Sequence, residues 1–166
     1  MNEQRIIVPE LIRIISLKTQ QGNIDGAPEV DSAQINAHTF DFEVSLGIDV
    51  DEKIVGIQLK IKIGAEGEDN APLDVRGSYT HEIVFKVENL DDFLDIQEGK
   101  PPEIDPIMNG TLTGIAFSTV RGIIFSRTQG TSLGTVILPV VDPKKIMVAT
   151  EKTEKQQETG IKEPAE

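Results

Sequence analysis

The sequence predicts an α+β domain in which a four-stranded antiparallel sheet is followed by one long and one short C-terminal helix. Three observations predict it. The first half carries runs in which apolar and polar residues alternate, with no helical segment between them. After Asp105-Pro106 the pattern changes to a long apolar stretch opened by an N-cap residue and a proline at the first helical position. Asp142-Pro143 repeats that start signal after an apolar loop, so a second, short helix follows.

A first strand is expected over Leu11 to Lys18. The clearest strand runs from Phe40 to Val50, where Phe40, Phe42, Val44, Leu46, Ile48 and Val50 alternate with Asp41, Glu43, Ser45, Gly47 and Asp49. After a turn at Asp51-Glu52-Lys53, the alternation of Ile57, Leu59, Ile61 and Ile63 with Gln58, Lys60 and Lys62 brings a second strand back beside it as a hairpin. A further strand from Gly77 to Glu88 puts Tyr79, His81, Ile83, Phe85 and Val87 on one face and Thr80, Glu82, Val84 and Lys86 on the other. Asn89 to Asp105 is an acidic connector, broken by Pro101-Pro102, with a short helical turn at Leu90 to Leu94.

The long helix is expected from Pro106 to near Gly130. Its apolar residues, among them Leu112, Ile115, Phe117, Val120 and Ile123, cover most of its circumference, while Gly110, Gly114 and Gly122 lower its intrinsic propensity. Such a helix must be buried on more than one side: one side against its own sheet, the other against a second copy. The loop from Thr131 to Val141 is apolar, and from Thr150 the chain has almost nothing to bury. The expected organisation is one domain over residues 1–149 and a disordered charged tail over 150–166.

The composition narrows the function classes. A chain of 166 residues is long enough for one proper core. It has no cysteine, which excludes disulfides, thiolate metal sites and cysteine nucleophiles, and fits a reducing compartment. Glu3, Pro9 and Glu10 interrupt any signal-peptide core, and the apolar stretches are too short or too interrupted to span a bilayer, so a cytoplasmic protein without membrane insertion is expected. The net charge of −12 repels phosphate backbones, so nucleic acid is not an expected partner.

In order and kind, the later segments resemble the SecB chaperone family. They are Phe117-Ser118-Thr119-Val120-Arg121-Gly122, Gly130-Thr131-Ser132-Leu133, Ile137-Leu138-Pro139-Val140 and Asp142-Pro143-Lys144-Lys145-Ile146-Met147. The similarity extends over about residues 10 to 147 and is strongest from Val120 to Met147. It implies an ATP-independent chaperone that holds unfolded preproteins in apolar grooves and delivers them to the SecA motor. It also implies a homotetramer packed through the long helices, here by Leu112, Ile115 and Ile123. The groove residues it implies are Phe117, Leu133, Val136, Ile137, Leu138 and Val140, and Glu82 lies where the family carries a glutamate on its SecA-binding face. The chain departs from the family in having no Trp and one Tyr, and in its charged tail.

No enzymatic constellation competes with this reading. Gly99-Lys100 is followed by two prolines instead of the Ser or Thr of a phosphate loop, and no Gly-x-Ser-x-Gly elbow occurs. His38 and His81 fall in strands without neighbouring ligands, so neither a metal nor another cofactor is expected, and Asp91-Asp92 reads as a solvated charge run. Periodicity alone also allows Leu133, Val136, Ile137, Leu138 and Val140 to be ordinary core beneath the helix. Two further functions stay open: a SecB-like chaperone dedicated to a toxin–antitoxin system, and an oligomeric adaptor domain that holds no clients.

Overall fold

Four strands form where alternation predicts them in the computed structural model of the chain, which describes residues 5–26 and 30–146. The tail expected over 150–166, and Met147 of the short helix, lie outside the described residues. The strands are β1 (Ile12–Gly26), β2 (Ala37–Asp49), β3 (Ile54–Glu66) and β4 (Pro72–Val87), and they make one sheet in the order β1-β4-β3-β2 with all neighbours antiparallel. β2 and β3 form the expected hairpin. Its turn is closed by the Lys53 amide donating to the Val50 carbonyl at 3.2 Å and the Glu52 amide donating to Asp49 Oδ1 at 3.0 Å. Because β1 pairs with β4, the chain between β1 and β2 must pass from one edge of the sheet to the other.

Register turns the alternation into a single buried face. Val55, Ile57, Leu59 and Ile61 of β3 stand opposite Phe85, Ile83, His81 and Tyr79 of β4, and all of them are buried. Register partners share a face of a sheet, so one core runs across both central strands. It is closed by α1 (Pro106–Thr128), which buries Met108, Leu112, Ala116, Val120 and Ile124. That spacing of four keeps one stripe of the helix on the sheet. Fully burying each of the larger side chains, Met108, Leu112, Val120 and Ile124, contributes about 1.5–3 kcal/mol, and Leu112→Ala would cost about 2–5 kcal/mol.

The structure differs from expectation at several points: β4 begins at Pro72 and not at Gly77, and two further differences have a clear physical reason. β1 runs on to Gly26, because register shifts between Ile14 and Ser16 and between Thr19 and Gln21 break its alternation and hide the second half of the strand from a period-two reading. The acidic connector also holds more order than a loop. Leu90 and Phe93 are buried in a 3-10 turn, and β5 (Leu94–Asp95) pairs with β6 (Glu103–Ile104) just before α1. The Asp105 amide donates to the Phe93 carbonyl at 2.7 Å, so this small ladder fixes where α1 starts.

Both start signals act as caps. Asp105 Oδ1 accepts from the Ile107 amide at 2.8 Å, with Pro106 at the first helical position, and Asp142 Oδ1 accepts from the Lys144 amide at 3.0 Å where a short helix, α2, begins over 143–146. Among the described residues, one stripe of α1 is covered by the sheet. Ile107, Ile115 and Phe125 remain exposed on its outer side.

Candidate functional site

The loop between α1 and α2 is shaped by the polar residues at its start. Gly130 takes φ 76°, a left-handed value that ends the helix, and Thr131 Oγ1 donates to the Thr128 carbonyl at 2.6 Å. Gln129 Nε2 donates to the carbonyls of Phe125 at 3.2 Å and Gly134 at 3.1 Å, so the last carbonyls of α1 are satisfied by side chains of the turn itself. That is the physical role of the Gly130-Thr131-Ser132-Leu133 segment. It drops Leu133 onto Gly77 of β4, where a Cβ would lie only 3.0 Å from Leu133 Cδ1.

From Thr135 to Pro139 the loop sends alternate residues inward, and Val140 then breaks the alternation by staying exposed. Val136 and Leu138 join Leu133 in the core at 0–1% exposure, while Ile137 is 59% exposed and Val140 84%. The expected groove residues therefore divide. Leu133, Val136 and Leu138 are packed under the loop, and Ile137 and Val140 present apolar surface. Phe117 is largely buried, with its ring edge-on to Phe42 of β2 at 5.4 Å. Phe42 in turn stacks with Phe40 at 6.1 Å. This aromatic row across β2 and α1 was legible only as strand alternation.

A groove of about 550 Å³ lies between α1 and the loop. Gly110, Gly114, Ile115 and Ser118 line it from the helix, and Val140, Val141 and Pro143 from the other side. Toward Asp105 it is continued by a second depression of about 560 Å³ that shares Gly110, Thr111 and Pro143 and adds Ile107 and Lys144. Sequence reasoning did not assign Ile107, Gly110, Gly114, Val141 or Pro143 to a groove. The available signal was small residues at every fourth helical position, Gly110, Gly114, Ser118 and Gly122. Of the residues expected to join copies, Leu112 faces the sheet and is fully buried, Ile115 is 37% exposed, and Ile123 is half-buried.

Glu82 lies on the outer face of the sheet, away from α1, as its alternation predicts. That face is not acidic. Glu82 stands between Lys18 of β1 and Gln58 of β3, and in the neighbouring rows Lys60, Lys62, Arg76 and Lys86 are interleaved with Asp41, Glu43 and Asp49. Lys60 pairs with Glu43 at 3.1 Å. Both histidines are on the inner face. Burial lowers the pKa of His38 and of His81, with Arg127 lowering that of His81 further, and burial raises that of Tyr79. Among the described residues, no group of three or more His, Asp or Glu side chains is placed to hold a metal, and no helix is long and apolar enough to cross a membrane.

No protein-family model matches the chain, and no curated protein matches it. Solved structures do. The Mycobacterium tuberculosis Rv1957 SecB-like chaperone, in complex with a ChAD peptide from the Rv1956 HigA1 antitoxin, superposes with a TM-score of 0.58 at 11% sequence identity, covering 80% of this chain and 92% of that one. The fold is SecB-like. At such low identity the likeness rests on architecture: a four-stranded antiparallel sheet followed by a long and a short helix.

Proposed function

We propose that this protein is an ATP-independent holding chaperone, and that its clients lie along the groove between α1 and the loop as extended, unfolded segments. The observation that carries this reading is the exposed apolar surface along that groove, with Val140 at one end and Ile107 at the other. Contiguous exposed apolar surface beside a groove is the kind of surface that another chain covers. A client segment burying about 400 Å² there gains roughly 10 kcal/mol gross, and ordering costs of similar size leave weak, sequence-tolerant binding. Weak sites become useful when repeated on one particle. The SecB-like fold supports such repetition through a homotetramer, and the outer side of α1 supplies a surface for it: Ile115 and Phe125 are exposed, and Gly110 and Gly122 have open space where a Cβ would stand.

Two destinations for the client are compatible with this activity. Delivery to SecA would use the outer face around Glu82, and a dedicated client, such as an antitoxin, would need no motor. The mixed sign of that face favours the dedicated client, because a dock for a basic partner needs a net anionic patch. The similar chaperone from M. tuberculosis is itself bound to an antitoxin peptide.

The test is whether the purified protein suppresses aggregation of a refolding protein without ATP. Suppression at near-stoichiometric amounts is expected. No suppression at any ratio would leave the adaptor reading, in which the apolar surface of α1 serves assembly alone.

A further inference from the structure

His81 is fully buried at the centre of the sheet, beneath the C-terminal end of α1. Its Nδ1 lies 3.2 Å from Thr19 Oγ1 of β1, its ring is parallel to Tyr79 at 6.4 Å, and its Nε2 is buried with no hydrogen-bond partner among the described groups. Across β3 its register partner is Leu59, which offers no charge. The charged group that acts on it comes from the last turn of α1: Arg127 acts on both His81 and Tyr79. The guanidinium lies on β1 at Gly22, where an added Cβ would come 3.3 Å from Arg127 Nη1 and 3.4 Å from Tyr79 Cδ1. A side chain at 22 would crowd the guanidinium against the strand. The acid nearest in sequence, Glu82, is on the opposite face of the sheet.

We infer that His81 and Arg127 form a proton-sensitive latch: with His81 neutral, Arg127 rests on β1 and the end of α1 stays packed over the β1–β4 edge, and with His81 protonated the two cations repel and that end loosens. Protonation would create a buried cation whose Nε2–H has no acceptor, beside a second cation. The strain would reach the loop, because Leu133 rests on Gly77, two inner-face positions along β4 from His81. The latch depends on the fold alone and holds whether or not the groove accepts clients.

The direction follows from linkage. The folded-state pKa of His81 is below its ordinary value of 6.5, so the closed state keeps the ring neutral while an opened state that wets the ring titrates near 6.5. The latch is therefore fully closed above that value and weakens as pH falls through it. Between pH 7.5 and 5.5 the opening equilibrium should rise about tenfold for a ring held neutral throughout.

Amide hydrogen exchange of the full chain, corrected for intrinsic rates, tests this. The backbone from Ile124 to Leu133 should exchange about tenfold faster at pH 5.5 than at pH 7.5. His81→Gln should abolish the response, and His38→Gln, on the opposite edge of the sheet, should keep it. Unchanged protection in the parent protein, or the same acceleration in His81→Gln, would overturn the latch. Should His81→Gln not fold, the exposed Arg127 gives a second route. In Arg127→Gln the His81 ring, followed by NMR, should titrate at a higher pH than in the parent, and an unmoved midpoint would equally overturn the proposal.

Discussion

Ile137 and Leu138 are sequence neighbours with opposite surroundings, and the difference separates stability from binding. Leu138 is 1% exposed, so Leu138→Ala would leave a cavity and cost about 2–5 kcal/mol of stability. Val140 has 84% of its surface in water, so Val140→Ser should change stability by less than about 0.5 kcal/mol. If clients cover it, the same change should weaken client binding by about 1 kcal/mol, since roughly half or more of a full valine burial would be lost. Chemical denaturation and client titration of the two variants measure both quantities, and equal loss of stability in both would show that Val140 is also core in the assembled protein. The loop was legible as apolar, but which of its residues turn inward was not. An apolar run such as Val136 to Val141 has no polar residue on its odd or even positions to mark the wet side. The close approach of Leu133 to Gly77 of β4 anchors the loop, and that contact is distant in sequence.

Strands and helix starts were legible because each leaves a local trace: period-two alternation in β2, β3 and β4, and an Asp-Pro pair before each helix. The second half of β1 left none, since two bulges shift its phase and an edge strand tolerates polar residues on both faces. The β5–β6 ladder was hidden for a different reason, being held by Leu90, Phe93 and Leu94 among acids too dense for any periodicity. In α1 the sequence announced apolar residues nearly all round but not which stripe the sheet would take. Leu112 belongs to the sheet side and Ile115 to the outer side. Leu112→Asp should therefore unfold the protomer, because an unpaired buried carboxylate costs several kcal/mol. Ile115→Asp should leave the protomer folded and split the oligomer, as read by light scattering and far-UV circular dichroism together. A parent protein that is monomeric at micromolar concentration would remove the reason for the outer stripe. The glycines make the same point in energy: Gly110 and Gly122 cost about 1 kcal/mol each relative to alanine in a helix interior, and nothing among the described residues lies where their Cβ would stand.

The sheet separates two surfaces, an apolar one on the side of α1 and a polar one on the other, so the two can be altered independently. The charge of −12 is not concentrated on the polar face, where Lys18, Lys60 and Lys62 neighbour the acids; much acid sits in the connector, at Asp91, Asp92, Asp95, Glu98 and Glu103. A partner recognising the outer face would meet alternating signs, which give short-range register but little long-range attraction. Glu82→Lys discriminates the two destinations. Pointing to the solvent side of β4 beside Lys18, it should lower stability only slightly, through like charges in adjacent strands, and should leave client holding intact. With a dedicated client and no motor, binding to SecA should be weak in the parent and no weaker in the variant at low salt. With delivery to the motor, the parent should bind SecA measurably, and Glu82→Lys should reduce that binding at low salt, with the deficit shrinking as salt is raised. Affinity for SecA at two ionic strengths, measured beside aggregation suppression by the same samples, decides between them: we expect unchanged holding and no salt-dependent loss, and a clear loss at low salt would return the outer face to the motor.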